Sequence, residues 1–364
     1  MTRKTRAVID QAALRHNLQV SRKAAPHAKQ MAIIKAHAYG HGIIPIAQTL
    51  KDADAFGVAI LEEAIALREA GVSKPIVLLE GISSFDDLNL VRGYQLDIVV
   101  HHESQLDILE SVQDGQYKVW LKMDTGMHRL GFSSEQFPTA YQRLMNCASV
   151  TKPFQLMTHF ANADDRNDDK TTFQINQFNT SLSNITDTES SHVCSLANSA
   201  GILGWPDSHA QWVRPGIMLY GVSPFVEGLG ADFDLKPVMT LSAELISVNS
   251  FKKGESIGYG SSWQCPEDMA VGVVAIGYGD GYPRHAKSGT PVLVNGKRSQ
   301  LVGRVSMDMV TVDLREHPDA KVGDIVTLWG EGLPVEEVAT NADTIAYELL
   351  CSVTNRVKFD YINA

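Results

Sequence analysis

The chain has 364 residues, room for two or three domains at roughly 150 residues each. Its 44% apolar and 20% charged residues allow a large buried core. Lys and Arg number 32 against 42 Asp and Glu, a net charge of −10. That is a poor match to phosphate backbones or anionic membranes, so neither nucleic acid nor a membrane is an expected partner.

The N-terminal residues carry charge with no apolar run behind them, unlike a secretory signal. No stretch approaches the about 18 consecutive apolar residues of a membrane span. Cys147, Cys194, Cys265 and Cys351 form no CxxC pair, so neither a metal knuckle nor a redox motif is expected. A cytoplasmic protein with reduced thiols and no metal is the expectation.

Short apolar runs rich in β-branched residues recur at 31–35, 56–60, 76–80, 96–100, 118–122, 155–159, 192–195 and 211–214. Several gaps have helical spacing and good helix formers, as at 61–70, closed by Gly71. Apolar strands alternating with helices predict a parallel sheet covered on its outer face. Eight such units fit a (β/α)8 barrel of about 250 residues, with a doubly wound open sheet as the alternative.

The pattern changes over 221–237, a stretch rich in Gly, Pro and acid that reads as a linker. Strand-like runs follow at 240–248, 271–276, 291–294, 300–305, 309–314 and 324–329, and Asn295-Gly296 is a strong hairpin signal. The expected fold class is therefore α/β: a barrel over 10–230, then a mainly antiparallel β domain over 231–364 with a late helix near 344–350. The short run at 6–9 is open to either domain, and residues 1–9 are a candidate contribution to the second.

Side chains at the C-terminal ends of barrel strands form the functional face of this architecture. That rule selects Lys35, Lys122, His159, Cys194 or Ser195, and Arg214. Cys194 lies within a strand and reads as a core thiol. Gly40 and Gly42 permit a tight turn after the first strand that holds Lys35 near Tyr39, while His41 reads as part of that turn. A lysine desolvated in a barrel mouth can serve as base or Schiff-base amine. After the seventh and eighth strands, Ser199 and the backbone near Gly216 can cradle a phosphate. No ordinary nucleotide loop occurs. A lysine facing a phosphate cradle suits pyridoxal phosphate (PLP), and it suits a Schiff base on a sugar phosphate equally well.

The segments Lys35-Ala-His-Ala-Tyr-Gly-His-Gly42, Lys122-Met-Asp-Thr-Gly-Met-His-Arg-Leu-Gly131, Thr158-His-Phe-Ala161, Ala197-Asn-Ser199, Arg214-Pro-Gly216, Gly258-Tyr-Gly260, Gly303-Arg-Val-Ser-Met-Asp308 and Tyr347-Glu348, in this order, resemble bacterial alanine racemases. The resemblance spans nearly the whole chain. It implies a PLP enzyme interconverting L- and D-alanine for peptidoglycan, acting as a homodimer with shared active sites.

By that resemblance Lys35 carries PLP and serves as one base, and Tyr259 of the partner subunit is the other. Tyr39, Ser199, the backbone of Gly216 and Ile217, and Tyr347 hold the phosphate. Arg214 faces the pyridine nitrogen, and His159 links it to Tyr259. Arg129 meets the substrate carboxylate, braced by Lys122, which is carbamylated in many relatives. Met307 and Asp308, from the partner chain, line the substrate pocket. Core packing for Met307, a turn for Asp308 and an unmodified Lys122 are the plainer alternatives. His37 stands where the family more often has Asn or Asp; His128 replaces its frequent Gly and Ser306 its frequent Cys, and these two bear on substrate breadth. A sibling racemase of serine or basic amino acids, a fold-related PLP decarboxylase and a PLP-holding barrel without turnover are the other readings.

Overall fold

The computed structural model describes residues 4–113, 115–185 and 192–364; the first three residues of the N-terminal run lie outside them. Eight parallel strands close into a barrel: β2 (Lys29–Ile33), β3 (Ala55–Val58), β4 (Ile76–Leu78), β5 (Asp97–Val100), β6 (Val119–Lys122), β7 (Gln155–Met157), β8 (Cys194–Ser195) and β9 (Trp212–Val213), with β9 paired back onto β2. These are the eight apolar runs of the sequence. Residues such as Ile33, Val58, Leu78, Val99, Leu121 and Met157 are buried, as strands covered on both faces require. The helix Leu61–Glu69 falls where its spacing predicts.

A short strand precedes the barrel. β1 (Arg6–Asp10) pairs antiparallel with the first half of β10 (Met239–Phe251) and parallel with the strand Lys358–Ile362. It therefore belongs to the C-terminal sheet. Asp10 then caps the helix Gln11–Ala24, its carboxylate accepting from the N–H groups of Ala12 and Ala13. The first half of β10 pairs with Ile325–Trp329, which bulges at Leu328, and its second half, past a bulge at Ile246, pairs with Met269–Val274.

Two expectations are corrected. The strand predicted at 300–305 runs over Lys297–Gln300 instead. Asn295 and Gly296, with φ of 50° and 79°, form a two-residue turn that makes the return strand begin at once, pairing Val294 with Lys297. That strand is a charged sheet edge, so it has no apolar run to betray it. The linker 221–237 also contains a short 3-10 turn at Gly230–Phe233. The late helix lies at Ala346–Ser352, preceded by an unforeseen one at Val335–Asn341. Among the described residues no helix is long and apolar enough to cross a membrane.

Candidate active site

β2 ends at Ile33, and the chain then enters a left-handed turn in which Ala36, His37, Ala38 and Tyr39 have φ between 51° and 56°. Such backbone costs L-residues about 1–2 kcal/mol each, so it needs firm bracing. The Glu63 carboxylate accepts from His37 N at 3.1 Å and, through its other oxygen, from Ala59 N at 3.0 Å. The fully buried His41 ring places Nδ1 2.8 Å from Tyr39 O and 3.1 Å from Ala38 O, so Nδ1 carries the proton. Burial pushes the His41 pKa down to about 4, which keeps this brace neutral.

The C-terminal segment clamps the same turn. Tyr361 Oη donates to His41 O at 3.0 Å. At Gly40, with φ of +79°, a Cβ would stand 2.1 Å from Leu350 O. The Tyr39 ring stacks on Tyr220 at 4.7 Å and meets Tyr347 at 6.0 Å. Burial raises both the Tyr39 and Tyr347 pKa values, the latter to about 12, so both remain O–H donors at neutral pH.

Across the barrel mouth, Asn198 caps the helix Ser199–Gly204 by accepting from Gly201 N at 2.9 Å. Ser199 Oγ lies 2.9 Å from Gly216 N, and a Cβ on Gly216 would come within 2.9 Å of Tyr39 Oη. A side chain at 216 would fill this cradle. Hydroxyls and backbone N–H groups converging on one space form a donor set for a phosphate. The residues fit PLP's phosphate.

Arg214 leaves β9 into the barrel and is 3% exposed. Its Nη1 donates to Ser195 O and Oγ, and its Nη2 to Thr158 O, Leu196 O and His159 Nδ1 at 3.2 Å. Among the described residues its Nε–H has no partner, leaving one donor unspent. Burial brings the Arg214 pKa down to about 10, so it stays cationic. Burial and the Arg214 charge hold His159 well below the usual imidazole range. His159 is thus neutral, accepting at Nδ1, with its proton on Nε2. Burial, then Arg214 and Arg129, lower the Lys122 amine to about 7. Cys194 is a buried thiol raised to about 12 by burial, as its core reading expects.

Arg129 is exposed beside this group. His128 before it adopts φ of 56°, a conformation that favours glycine, and the Asp124 carboxylate holds the loop by accepting from the N–H groups of Gly126, Met127 and His128.

Tyr259, Met307 and Asp308 sit elsewhere, on the surface of the β domain. Tyr259 is 67% and Met307 53% exposed, which removes core packing as the account of Met307. Asp308 pairs with Arg356 at 2.5 Å, and Arg356 also reaches Asp280 at 3.4 Å. The structure therefore gathers Lys35, Tyr39, Lys122, Arg129, His159, Ser199, Arg214, Gly216, Ile217 and Tyr347 around one barrel mouth and leaves these three outside it.

Family models described as the N-terminal and C-terminal domains of alanine racemase match residues 9–224 and 238–361. The chain belongs to the alanine racemase family. The alanine racemase of Aeromonas hydrophila is 51% identical over 98% of this chain and 99% of its own length. That of Nitrosococcus oceani is 54% identical over 96% and 97%. The crystal structure of the biosynthetic alanine racemase of Pseudomonas aeruginosa superposes with a TM-score of 0.95 at 44% identity, covering 99% of this chain and 100% of that one. Membership makes the chain an amino-acid racemase.

Within this family assignment, sequence reasoning missed Glu63, Tyr220, Thr125 and Gln174, which brace the barrel mouth. Gln174 had a signal: with Thr171, Phe178 and Ser181 it occupies the buried stripe of its helix, where a polar side chain needs a partner.

Proposed function

We propose that this chain racemises alanine with PLP held on Lys35, in a homodimer whose partner subunit supplies Tyr259 as the second base. The observation that supports this reading is the braced turn 36–39 that follows Lys35 and brings Tyr39 Oη beside the Ser199–Gly216 cradle. Ser199, Tyr39, Tyr347 and the backbone at Gly216 and Ile217 would hold the phosphate, and Arg214 Nε the ring nitrogen. When bound, PLP would acidify the substrate Cα–H by conjugating it with the pyridine ring.

Racemisation needs proton transfer on two opposite faces. Lys35 would exchange the proton of the D enantiomer and Tyr259 that of the L enantiomer. A tyrosine in water is almost wholly protonated at neutral pH, so such a base needs cationic support. The neutral His159, donating from Nε2, would pass the influence of Arg214 to it. Arg129 would bind the substrate carboxylate, with Lys122, carbamylated, steadying it. Met307 and Asp308 of the partner would bound the pocket. An arginine at the ring nitrogen, where a decarboxylase needs an acid, favours proton exchange alone. Residues 10–230 would form the cofactor domain and 231–364, joined by 1–9, the domain that reaches the partner, with the D-alanine supplying peptidoglycan in the cytoplasm.

Chiral chromatography of the holoenzyme with L-alanine, L-serine, L-lysine and L-arginine tests this. D-alanine should form fastest, and Lys35→Ala should abolish it. Faster turnover of another amino acid would make the chain a sibling racemase. No D product at all would overturn the reading.

A further inference from the structure

One buried amide ties together the two loops that hold His159 and Arg129, and no step described so far uses it. Gln174, in the helix Lys170–Ser183, is completely buried, as are Thr125 and Thr158. Its Oε1 accepts from Ala161 N at 2.9 Å. Its Nε2 donates to His159 O at 3.1 Å and to Thr125 Oγ1 at 3.0 Å. Thr125 Oγ1 lies 2.7 Å from Thr158 Oγ1, and Thr158 O accepts from Arg214. The contacts form a closed circuit running Gln174, Thr125, Thr158, Arg214, His159 and back to Gln174.

Burying a primary amide is unfavourable unless its donors and acceptors are met. An apolar side chain of the same length would serve packing alone. Here three of the four hydrogen bonds open to the amide are spent, and all three land on the loops after β6 and β7. Pinning His159 O and Ala161 N on either side of Phe160 fixes the backbone from which the imidazole projects. Arg214 then fixes Nδ1, so the Nε2–H has one direction left to point.

We propose that Gln174 is a positioning residue that sets the direction of the His159 Nε2–H, and through it the ionisation of the tyrosine base. The proposal rests on the two-base reading above. Loss of the amide should loosen the His159 backbone, lengthen the Arg214–His159 contact and withdraw cationic support from Tyr259, while Lys35, on a turn braced by other residues, is unaffected.

The test compares pH profiles of kcat/KM for L-alanine in wild type, Tyr259→Phe and Gln174→Met holoenzymes. Tyr259→Phe identifies the limb that belongs to the tyrosine by abolishing it. Gln174→Met should move that limb to higher pH, leave the other in place, and lower kcat/KM about 10- to 100-fold at neutral pH, the scale of a small misplacement. Thr125→Val should act in the same direction and Thr125→Ser, which keeps the hydroxyl, should behave as wild type. These two decide the matter if Gln174→Met does not fold. A uniform loss with both limbs fixed, or no loss, overturns the proposal. If Tyr259→Phe leaves both limbs intact, the two-base reading has failed on its own. The crystal structure of Gln174→Met then judges the positioning role: an Arg214 Nη2–His159 Nδ1 separation still at 3.2 Å refutes it, and one beyond hydrogen-bond range supports it.

Discussion

The barrel mouth and the β-domain face carry candidate site residues under opposite physical conditions. At the mouth, Tyr39, Arg214 and Ser199 are buried and held by partners on other elements of the same chain. On the β-domain face, Tyr259 and Met307 are exposed, Tyr259 on a turn flanked by Gly258 and Gly260 at φ of 75° and 71°. That contrast, one half tightly held and the other exposed, is what the proposed shared site requires. The comparison also separates two kinds of damage: substitutions at the mouth should disturb the fold as well as the reaction, and those on the face should disturb only the reaction.

Tyr259→Phe should give the largest effect. It should lower turnover about 10²- to 10⁴-fold, the range of a lost general base, with urea unfolding unchanged within about 0.5 kcal/mol. A matching loss of stability would break the distinction. Gly40→Ala should do the reverse of a pure activity mutant. Its Cβ meets the Leu350 carbonyl at 2.1 Å and its φ is +79°, so destabilisation of about 3 kcal/mol is expected, with loss of bound PLP absorbance alongside.

Lys122 adds a pH signature. Its amine gives up its proton near 7 in the folded chain but only near about 10.4 when unfolded. Between those values the unfolded chain binds more protons, so this contribution to stability rises with pH, at no more than about 1.4 kcal/mol per pH unit. In CO2-free buffer, urea melts should show that rise in wild type and not in Lys122→Met; equal slopes would contradict the assignment. The neutral amine is also the form that adds CO2, so native mass spectra should show more carbamate at pH 8 than at pH 6. The smallest effect is expected from Tyr361→Phe, which removes the O–H donated to His41 O and should cost about 1 kcal/mol.

Much of the barrel half was legible because its signals are local. Each barrel strand is an apolar run, and the residues that end or follow those runs, Lys35, Lys122, His159 and Arg214, are polar where a buried strand would otherwise continue. The β domain was less legible. Its strand Lys297–Gln300 is charged, and Lys358–Ile362 alternates polar and apolar residues at an exposed edge, so neither shows a run. The left-handed turn at 36–39 was not legible either. Gly40 and Gly42 drew attention as the flexible positions, whereas the strain falls on four residues with side chains and is borne by Glu63, His41 and Tyr361. Such bracing is long-range, as is the Gln174 circuit, and only the folded chain brings its members together.

The central claim is that each site needs Lys35 from one chain and Tyr259 from the other. Lys35→Ala and Tyr259→Phe proteins, each nearly inactive alone, should be unfolded and refolded together with PLP and assayed for D-alanine. If sites are shared, half of the dimers formed will be mixed and each will carry one intact site, restoring about one quarter of wild-type activity. If the mixture stays as inactive as its parts while co-refolded wild type recovers, both bases belong to one chain and the account is wrong.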